Sequence, residues 1–190
     1  MVAIVAASFI VPGALNKKST SAGAEHAMAM GSDQGEGLPV GAAVPFFSER
    51  NLETGGLITS RSLYRQKTLV FFSEGVMCQA CFVQIRDLEK LGAQLKQRGI
   101  RLVSVTPDSP GDLRQAIEQY GITTPMISDS DHSMSEAFNT LGKGMHASTP
   151  GHAFALIQKG KVLWYHDYWL PPDQTMYVQP KKLLADILAA

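Results

Sequence analysis

Apolar runs alternate with amphipathic stretches from about residue 40 to the C-terminus. Residues 69–72 are all apolar and residues 100–105 are rich in apolar side chains, which is typical of strands buried on both faces. Between these runs, apolar residues recur at helical spacing up to a glycine that supplies the stop. This helical face comprises Ile85, Leu88, Leu91, Gly92 and Leu95, followed by Gly99. The order strand, helix, strand predicts a right-handed βαβ unit with parallel strands.

The pattern predicts further strands on both sides of this unit. Residues 43–47 and 56–59 are short apolar stretches separated by a turn-rich segment, which favours a hairpin. Residues 126–127 form a short strand in this interpretation. Residues 153–157 and 162–166 flank the turn Lys159-Gly160, so they predict a tight antiparallel hairpin. A parallel unit joined to such a hairpin gives a mixed sheet.

Three more helices follow from local signals. Ser109 and Pro110 are a typical helix start, and Gly121 a typical stop. Ser133 and Glu136 have the spacing of a capping box. Pro180 begins a closing helix that runs to the C-terminus. We expect its apolar residues, Leu183, Leu184, Ile187 and Leu188, to face inward.

The first 40 residues differ from the rest of the chain. Residues 1–15 are almost continuously apolar, and residues 16–40 are rich in Ala, Gly, Ser and Met without periodicity. We interpret 1–15 as a signal or membrane-anchor segment, 16–40 as a flexible tether and 41–190 as the folded domain. This layout predicts a membrane-anchored or exported protein whose domain lies outside the cytoplasm. A buried core helix is the alternative for residues 1–15.

Charge limits the partners. The 190 residues contain 17 basic and 17 acidic side chains, for a formal net charge of +0. Basic residues occur in no run longer than a pair, so the electrostatic footprint of nucleic-acid binding is missing. We therefore predict no nucleic-acid partner.

The chain has two cysteines, in the sequence Cys78-Gln79-Ala80-Cys81 between a predicted strand and a predicted helix. The N–H groups of a helix N-terminus favour a thiolate, and a second cysteine one turn later can resolve a mixed disulfide. No second cysteine pair or spaced histidine pair completes a zinc site, and Phe82 stands where c-type haem attachment needs histidine. We expect redox chemistry with no metal and no cofactor, and a pair of inert core cysteines is the alternative.

Four segments resemble the redoxin branch of the thioredoxin superfamily, which contains the alkyl hydroperoxide reductase and thiol-specific antioxidant family. They are residues 41–46 (GAAVPF), 71–81 (FFSEGVMCQAC), 103–109 (VSVTPDS) and 154–162 (FALIQKGKV). The resemblance extends over residues 41–190 and implies an α/β thioredoxin-like fold, with a central mixed sheet flanked by helices. It also implies an N-terminal hairpin and an inserted strand and helix between Asp108 and Asn139. The branch includes peroxiredoxins and membrane-tethered thiol–disulfide oxidoreductases.

Two positions depart from the peroxiredoxin pattern that this resemblance supplies. Peroxiredoxins have a threonine three residues before the peroxidatic cysteine, where this chain has Gly75. They also have an arginine near the start of the late strand, at a position that Gly151 occupies here. Without that hydroxyl and guanidinium, fewer donors stabilise the charge that develops on a peroxide.

The resemblance also points to residues beside the cysteines. Thioredoxins have a cis-proline opposite their cysteine pair, and Pro150 after Thr149 is the candidate, with a trans proline as the alternative. His152 would then pack near the cysteines and donate to the thiolate or shuttle a proton, or else be an ordinary surface residue. Met77 would shape an apolar docking edge, and Glu74 would oppose the thiolate.

These residues support one preferred function and two alternatives. The preferred one is a thiol–disulfide oxidoreductase in which Cys78 attacks a protein or small-molecule disulfide and Cys81 resolves the mixed disulfide. The second is a thiol peroxidase in which Cys78 reduces a hydroperoxide and becomes a sulfenic acid. Either enzyme needs a thiol protein as electron donor. The third is a copper-handling module that uses the cysteines with His26, Met28 or Met30 of the tether.

Overall fold

The computed structural model describes residues 35–189. The predictions for residues 1–15 and for 16–34, including His26, Met28 and Met30, lie outside the described residues. Within residues 35–189 no helix is both long enough and apolar enough to cross a membrane.

A five-stranded mixed sheet forms the centre of the domain, as predicted. Its strand order is β5-β4-β3-β6-β7, with β3, β4 and β5 parallel and β6 and β7 antiparallel to their neighbours. A separate two-stranded hairpin, β1 with β2, precedes the sheet. The strands are β1 Ser48–Arg50, β2 Leu57–Thr59, β3 Lys67–Phe72, β4 Ile100–Thr106, β5 Met126–Ser128, β6 Ala153–Gln158 and β7 Lys161–Asp167.

Helices cover both faces of the sheet and bury its side chains in two clusters. One cluster joins Phe71 and Phe154 of the sheet to apolar residues of α2, α3, α4 and α6. The other joins Val70 and Phe72 to the hairpin, α1 and α5. Successive residues of β3 therefore alternate between two apolar layers, as the all-apolar run predicts. The helices are α1 Ser60–Leu63, α2 Gln79–Lys90, α3 Gly92–Gln97, α4 Pro110–Tyr120, α5 Ser133–Ala137 and α6 Pro180–Ala189.

The structure corrects four local predictions. The first strand of the hairpin is Ser48–Arg50 and not residues 43–47. The helix after the cysteines is interrupted at Leu91, whose ψ of 0° lies outside the helical range and separates α2 from α3. The capping box at Ser133 does not form, because the helix begins one residue earlier: His132 is the N-cap and its carbonyl accepts from the Glu136 N–H at 2.9 Å. Asp129 accepts from the backbone N–H groups of Met134 and Ser135 at 2.8 Å. Leu188 does not face inward and is 48% exposed.

The register of the sheet determines where the site lies. The last residue of β3, Phe72, pairs with the first residue of β6, Ala153. The segment that leaves β3 and the loop that enters β6 therefore meet at one edge of the sheet. The first of these carries Cys78 and the second carries residues 149–152. Strand pairing thus brings together two parts of the chain that lie about 70 residues apart in sequence.

Candidate redox site

Cys78 and Cys81 form a disulfide at the N-terminus of α2. A 3-10 turn, Gly75–Met77, leads into Cys78, which is the N-cap residue of the helix. The backbone N–H of Cys81 donates to Cys78 Sγ at 3.2 Å, so the first cysteine receives the hydrogen bond that a capping side chain normally accepts. Cys78 is 4% exposed, whereas Cys81 is completely buried. An incoming reactant therefore meets Cys78 first.

Asp108 occupies the space beside Gly75. Gly75 has a φ of +83°, and a Cβ at this position would lie 2.6 Å from the carboxyl carbon of Asp108. The Asp108 carboxylate also accepts from the backbone N–H of Val76, at 3.0 and 3.1 Å. Burial raises the pKa of Asp108, partly offset by this hydrogen bond. A threonine at position 75 is thus excluded by the positive φ and by the Asp108 carboxylate, which fills the space of its side chain. The same carboxylate already accepts from the N–H of Val76.

Glu74 fastens the loop that precedes β6 to the cysteine segment. It is 3% exposed, and its Oε1 accepts from the Thr149 hydroxyl at 3.0 Å. The same oxygen accepts from the backbone N–H groups of Met145 and, at 3.3 Å, His146. Glu74 therefore has a structural role that the sequence did not indicate. Glu74 lies four residues before Cys78, and its opposition to a Cys78 thiolate stays a prediction.

His152 contacts the second cysteine, Cys81. Its Nδ1 lies 3.7 Å from Cys81 Sγ, and its side chain is completely buried. The imidazole packs edge-on against Phe71 and Phe154, with ring centroids 4.7 and 5.6 Å away. Burial lowers the pKa of His152 to about 3, so the ring is neutral at physiological pH. The alternative of an ordinary surface histidine is therefore wrong.

Gly151 packs against Asp167, the last residue of β7. A Cβ at position 151 would lie 2.6 Å from the carboxyl carbon of Asp167. Asp167 is completely buried, and its Oδ1 accepts from the backbone N–H of Trp169 at 3.0 Å. Burial raises the pKa of Asp167 to about 6. The position where the resemblance places an arginine therefore faces a buried carboxyl group, which leaves no room for any side chain.

The remaining expected site residues lie at the rim. The Thr149–Pro150 bond is trans, and the cis bond among the described residues joins Pro171 to Pro172. Met77 is 81% exposed next to Cys78. Met145, which the sequence analysis did not select, is 50% exposed in the loop that Glu74 holds. Within residues 35–189 no group of three or more His, Cys, Asp or Glu side chains is arranged to hold a metal ion.

Besides Met145, the sequence interpretation missed two acidic residues of the site, Asp108 and Asp167. A signal existed for Asp108, because it follows the carboxyl end of β4, which is parallel to β3 and adjacent to it. Loops at the carboxyl ends of adjacent parallel strands meet at one edge. No such signal marked Asp167, because it ends β7, which is the outermost strand of the sheet and only partly apolar.

Fold and site together define a redoxin domain of the thioredoxin superfamily with a paired-cysteine centre. The family model described as AhpC/TSA family matches residues 40–165. The chain belongs to this family, and with its Cys78–Cys81 pair it is an oxidoreductase, as the sequence predicts.

Curated relatives and solved structures agree with this assignment. The chain is 29% identical over 107 residues to a putative peroxiredoxin bcp of Haemophilus influenzae, covering 56% of this chain and 68% of the relative. It is 27% identical over 106 residues to peroxiredoxin Bcp of Escherichia coli, covering 56% and 67%.

Among solved structures, peroxidoxin BcpB of Mycobacterium tuberculosis has a TM-score of 0.66 at 18% identity, covering 80% of this chain and 97% of that one. A putative thiol:disulfide interchange protein DsbE of Chlorobium tepidum has a TM-score of 0.62 at 21% identity, with the same coverage. At these identities the structural likeness concerns the fold, and the fold is shared by both kinds of protein.

Proposed function

We propose that this protein is a thiol–disulfide oxidoreductase in which Cys78 is the nucleophile and Cys81 resolves the mixed disulfide. The observation that carries the proposal is the position of the pair. The cysteines are one turn apart at a helix N-terminus, and Cys78 is the less buried of the two, 4% exposed where Cys81 is completely buried. An outer and an inner sulfur within bonding distance suit an exchange reaction in two steps.

The two steps balance without a further reactant. The Cys78 thiolate attacks one sulfur of a substrate disulfide, forms a mixed disulfide and releases the first substrate thiolate. The Cys81 sulfur, having lost its proton, then attacks Cys78 Sγ and releases the second thiolate. The substrate gains two electrons and ends as two thiols, while the protein ends as the Cys78–Cys81 disulfide. A donor thiol protein returns it to the dithiol by the reverse steps.

The carboxylates around Cys78 favour a reducing direction. Asp108 contacts the turn before Cys78, and Glu74 is buried at the start of the same segment. Both carboxyl groups oppose a thiolate at Cys78 when ionised. An oxidising centre requires a stabilised reduced form, as in the strongly oxidising DsbA. Here the two carboxyl groups oppose the stabilisation that the helix N-terminus gives a Cys78 thiolate, which favours the disulfide form, so we propose that the protein donates electrons to its substrates.

The same surroundings disfavour peroxide as the main substrate. A peroxide needs donors directed at its oxygens as charge develops in the transition state. Positions 75 and 151 provide no side chain, and the N–H of Val76 is already bonded to Asp108. His152 lies against Cys81 in the interior. The carboxylates nearby repel developing negative charge rather than stabilise it.

Peroxide reduction is the second candidate, because the curated relatives carry the name peroxiredoxin. In that reaction the Cys78 thiolate attacks a hydroperoxide, forms a sulfenic acid and releases the alcohol. Cys81 then condenses with the sulfenic acid to give the disulfide and water. The contact between the two sulfurs makes this second step feasible without rearrangement of α2. The first step is the one that the site supports poorly.

We also propose that the domain works outside the cytoplasm and that residues 1–15 act as the signal or anchor that brings it there. The apolar composition of 1–15 and the loose composition of 16–40 support this arrangement. Fractionation of cells that express the full chain tests it. We expect protease added to spheroplasts to remove the domain, and complete protection of the chain would contradict the proposal.

Trapping of the mixed disulfide tests the proposed function. The reduced full-length Cys81→Ser variant is mixed with oxidised insulin, and non-reducing electrophoresis measures the adduct. We expect a stable adduct for Cys81→Ser and none for Cys78→Ser, because Cys78, the less buried of the two cysteines, attacks first. Equal trapping by both variants, or by neither, would overturn the assignment.

A further inference from the structure

His152 touches the inner sulfur of the reactive pair, and the exchange steps above leave that contact unexplained. Its Nδ1 lies 3.7 Å from Cys81 Sγ. Edge-on contacts with Phe71 and Phe154 hold the ring between apolar surfaces. The contact therefore lies in a dry, confined space, where a single hydrogen bond has a larger effect than it has in water.

The second ring nitrogen indicates which atom carries the proton. His152 Nε2 is buried and has no hydrogen-bond partner among the described residues. A neutral imidazole has one N–H and one lone pair. With the hydrogen on Nε2, that buried N–H would be unsatisfied, and Nδ1 would face a disulfide sulfur that has no hydrogen to donate. The favoured tautomer has the hydrogen on Nδ1, directed at Cys81 Sγ.

We propose that His152 is a catalytic residue of the exchange reaction, a neutral donor whose Nδ1–H stabilises the Cys81 sulfur whenever that sulfur becomes a thiolate. This role rests on the proposed function. It assigns to Cys81 a partner distinct from the helix N-terminal groups that act on Cys78.

The step in which this donor matters most is the opening of the disulfide. A donor thiolate attacks Cys78 Sγ, the S–S bond breaks, and its electron pair moves to Cys81 Sγ. Cys81 then carries a negative charge in a completely buried position, where an unpartnered charge is costly. The Nδ1–H converts its contact with a neutral sulfur into a charge-assisted hydrogen bond. No proton needs to move in this step, so the low pKa of His152 does not impede it.

The reverse step uses the same hydrogen bond. When Cys81 resolves a mixed disulfide, its thiolate is the attacking group, and the donor raises the fraction of Cys81 that is ionised. His152 therefore accelerates both opening and closure of the ring, and it leaves the first attack by Cys78 on a substrate unchanged. This separation between steps distinguishes His152 from a residue that acts on the whole site.

The test measures reduction of the oxidised full-length protein by excess dithiothreitol, quenched with a maleimide and quantified by mass. His152→Phe keeps a flat ring between Phe71 and Phe154 but removes the donor, and we expect it to slow reduction about tenfold or more. His152→Asn places an amide N–H near the position of Nδ1, and we expect it to recover most of the rate. In a Cys78→Ser background, His152→Phe should raise the pKa of the Cys81 thiol, measured by thiolate absorbance.

Three results would overturn the proposal. The first is reduction of His152→Phe at a rate within twofold of the parent rate. The second is a rate for His152→Asn as low as that for His152→Phe. The third is a Cys81 pKa that His152→Phe leaves unchanged in the Cys78→Ser background. His152→Leu is a second donor-free variant in case phenylalanine impairs folding, which circular dichroism checks. Trapping by Cys81→Ser and by Cys81→Ser with His152→Phe should be equally fast. If the single variant Cys81→Ser traps no mixed disulfide, the proposed function is refuted. If trapping is normal but His152→Phe is reduced at the parent rate, only the role of His152 is refuted.

Discussion

The contribution of the buried Asp167 carboxyl group to the stability of the folded protein should fall as pH rises from 4 to 7. Its pKa is about 6 in the folded protein, against 3.8 for the unperturbed side chain, because it is buried at the end of β7. The folded state therefore retains a proton that the unfolded chain has released. One pKa unit corresponds to about 1.4 kcal/mol, so the full difference is about 3 kcal/mol. This penalty is nearly absent below about pH 3, grows as pH rises and is almost complete above about pH 6.5.

Asp167→Asn removes this titration and keeps an oxygen for the N–H of Trp169. Urea unfolding of the oxidised full-length protein, followed by circular dichroism, gives the free energy of unfolding from pH 4 to 7.5. We subtract the parent value from the variant value, so that titration of all other groups cancels. The difference should increase by about 2 to 3 kcal/mol across this range, in favour of the variant.

Asp131→Asn is the matched control, because the N–H of Ser133 lowers the pKa of Asp131 rather than raising it. Its difference from the parent should fall slightly or stay flat over the same range. A flat difference for Asp167→Asn, or one that falls with pH, would refute the reasoning that burial governs this carboxyl group.

Two further predictions concern the segment before Cys78. Gly75→Thr should lower the free energy of unfolding by about 2 kcal/mol or more, because φ is +83° and the new side chain meets Asp108. It should not increase the rate with peroxide, which stopped-flow mixing measures. Glu74→Ala should cost about 2 to 4 kcal/mol by leaving three loop donors without their acceptor, and it should expose residues 142–151 to protease. Glu74→Gln retains the Oε1 acceptor and should cost less.

Gly92→Ala is a suitable control for the first of these variants, since a Cβ at position 92 meets no atom within 4 Å. We expect it to be neutral or slightly stabilising in urea unfolding. A Gly75→Thr variant as stable as Gly92→Ala would contradict the conformational argument. For Glu74, equal losses in the alanine and glutamine variants would show that the charge matters more than the hydrogen bonds.

Periodicity was sufficient to predict the central sheet because β3, β4 and β6 are mostly buried and because the hairpin of β6 and β7 closes at Lys159-Gly160. The interruption of the helix at Leu91 was not predictable, since Leu91 and Gly92 both fit the apolar face of a continuous helix. Likewise, Ser133 and Glu136 have the spacing of a capping box, but the helix starts after His132, and Asp129 from outside the helix accepts from its first N–H groups. Local signals fail where a side chain from elsewhere in the fold binds the helix N-terminus.

The candidate site likewise contains residues that could be predicted from the sequence and residues that could not. It could be predicted from the strand order and from the family resemblance that the cysteine pair and the loop before β6 form the site. Asp108 contacts Val76 across 32 residues of sequence, and Asp167 packs on Gly151 from the neighbouring strand. The sequence shows Gly75 and Gly151 at the positions where peroxiredoxins have a threonine and an arginine. The structure adds that each glycine makes room for a carboxyl group, which explains why the peroxiredoxin side chains do not fit.

The most direct test of the central claim is a competition in a single turnover. Fully reduced full-length protein is mixed with equal concentrations of hydrogen peroxide and an aromatic disulfide that releases a coloured thiolate, and the yield of that thiolate is measured. We predict that Cys78 reacts almost entirely with the disulfide, with a rate constant for peroxide no greater than that of a free cysteine at the same pH. Oxidation mainly by peroxide, dependent on Cys78, would contradict the account.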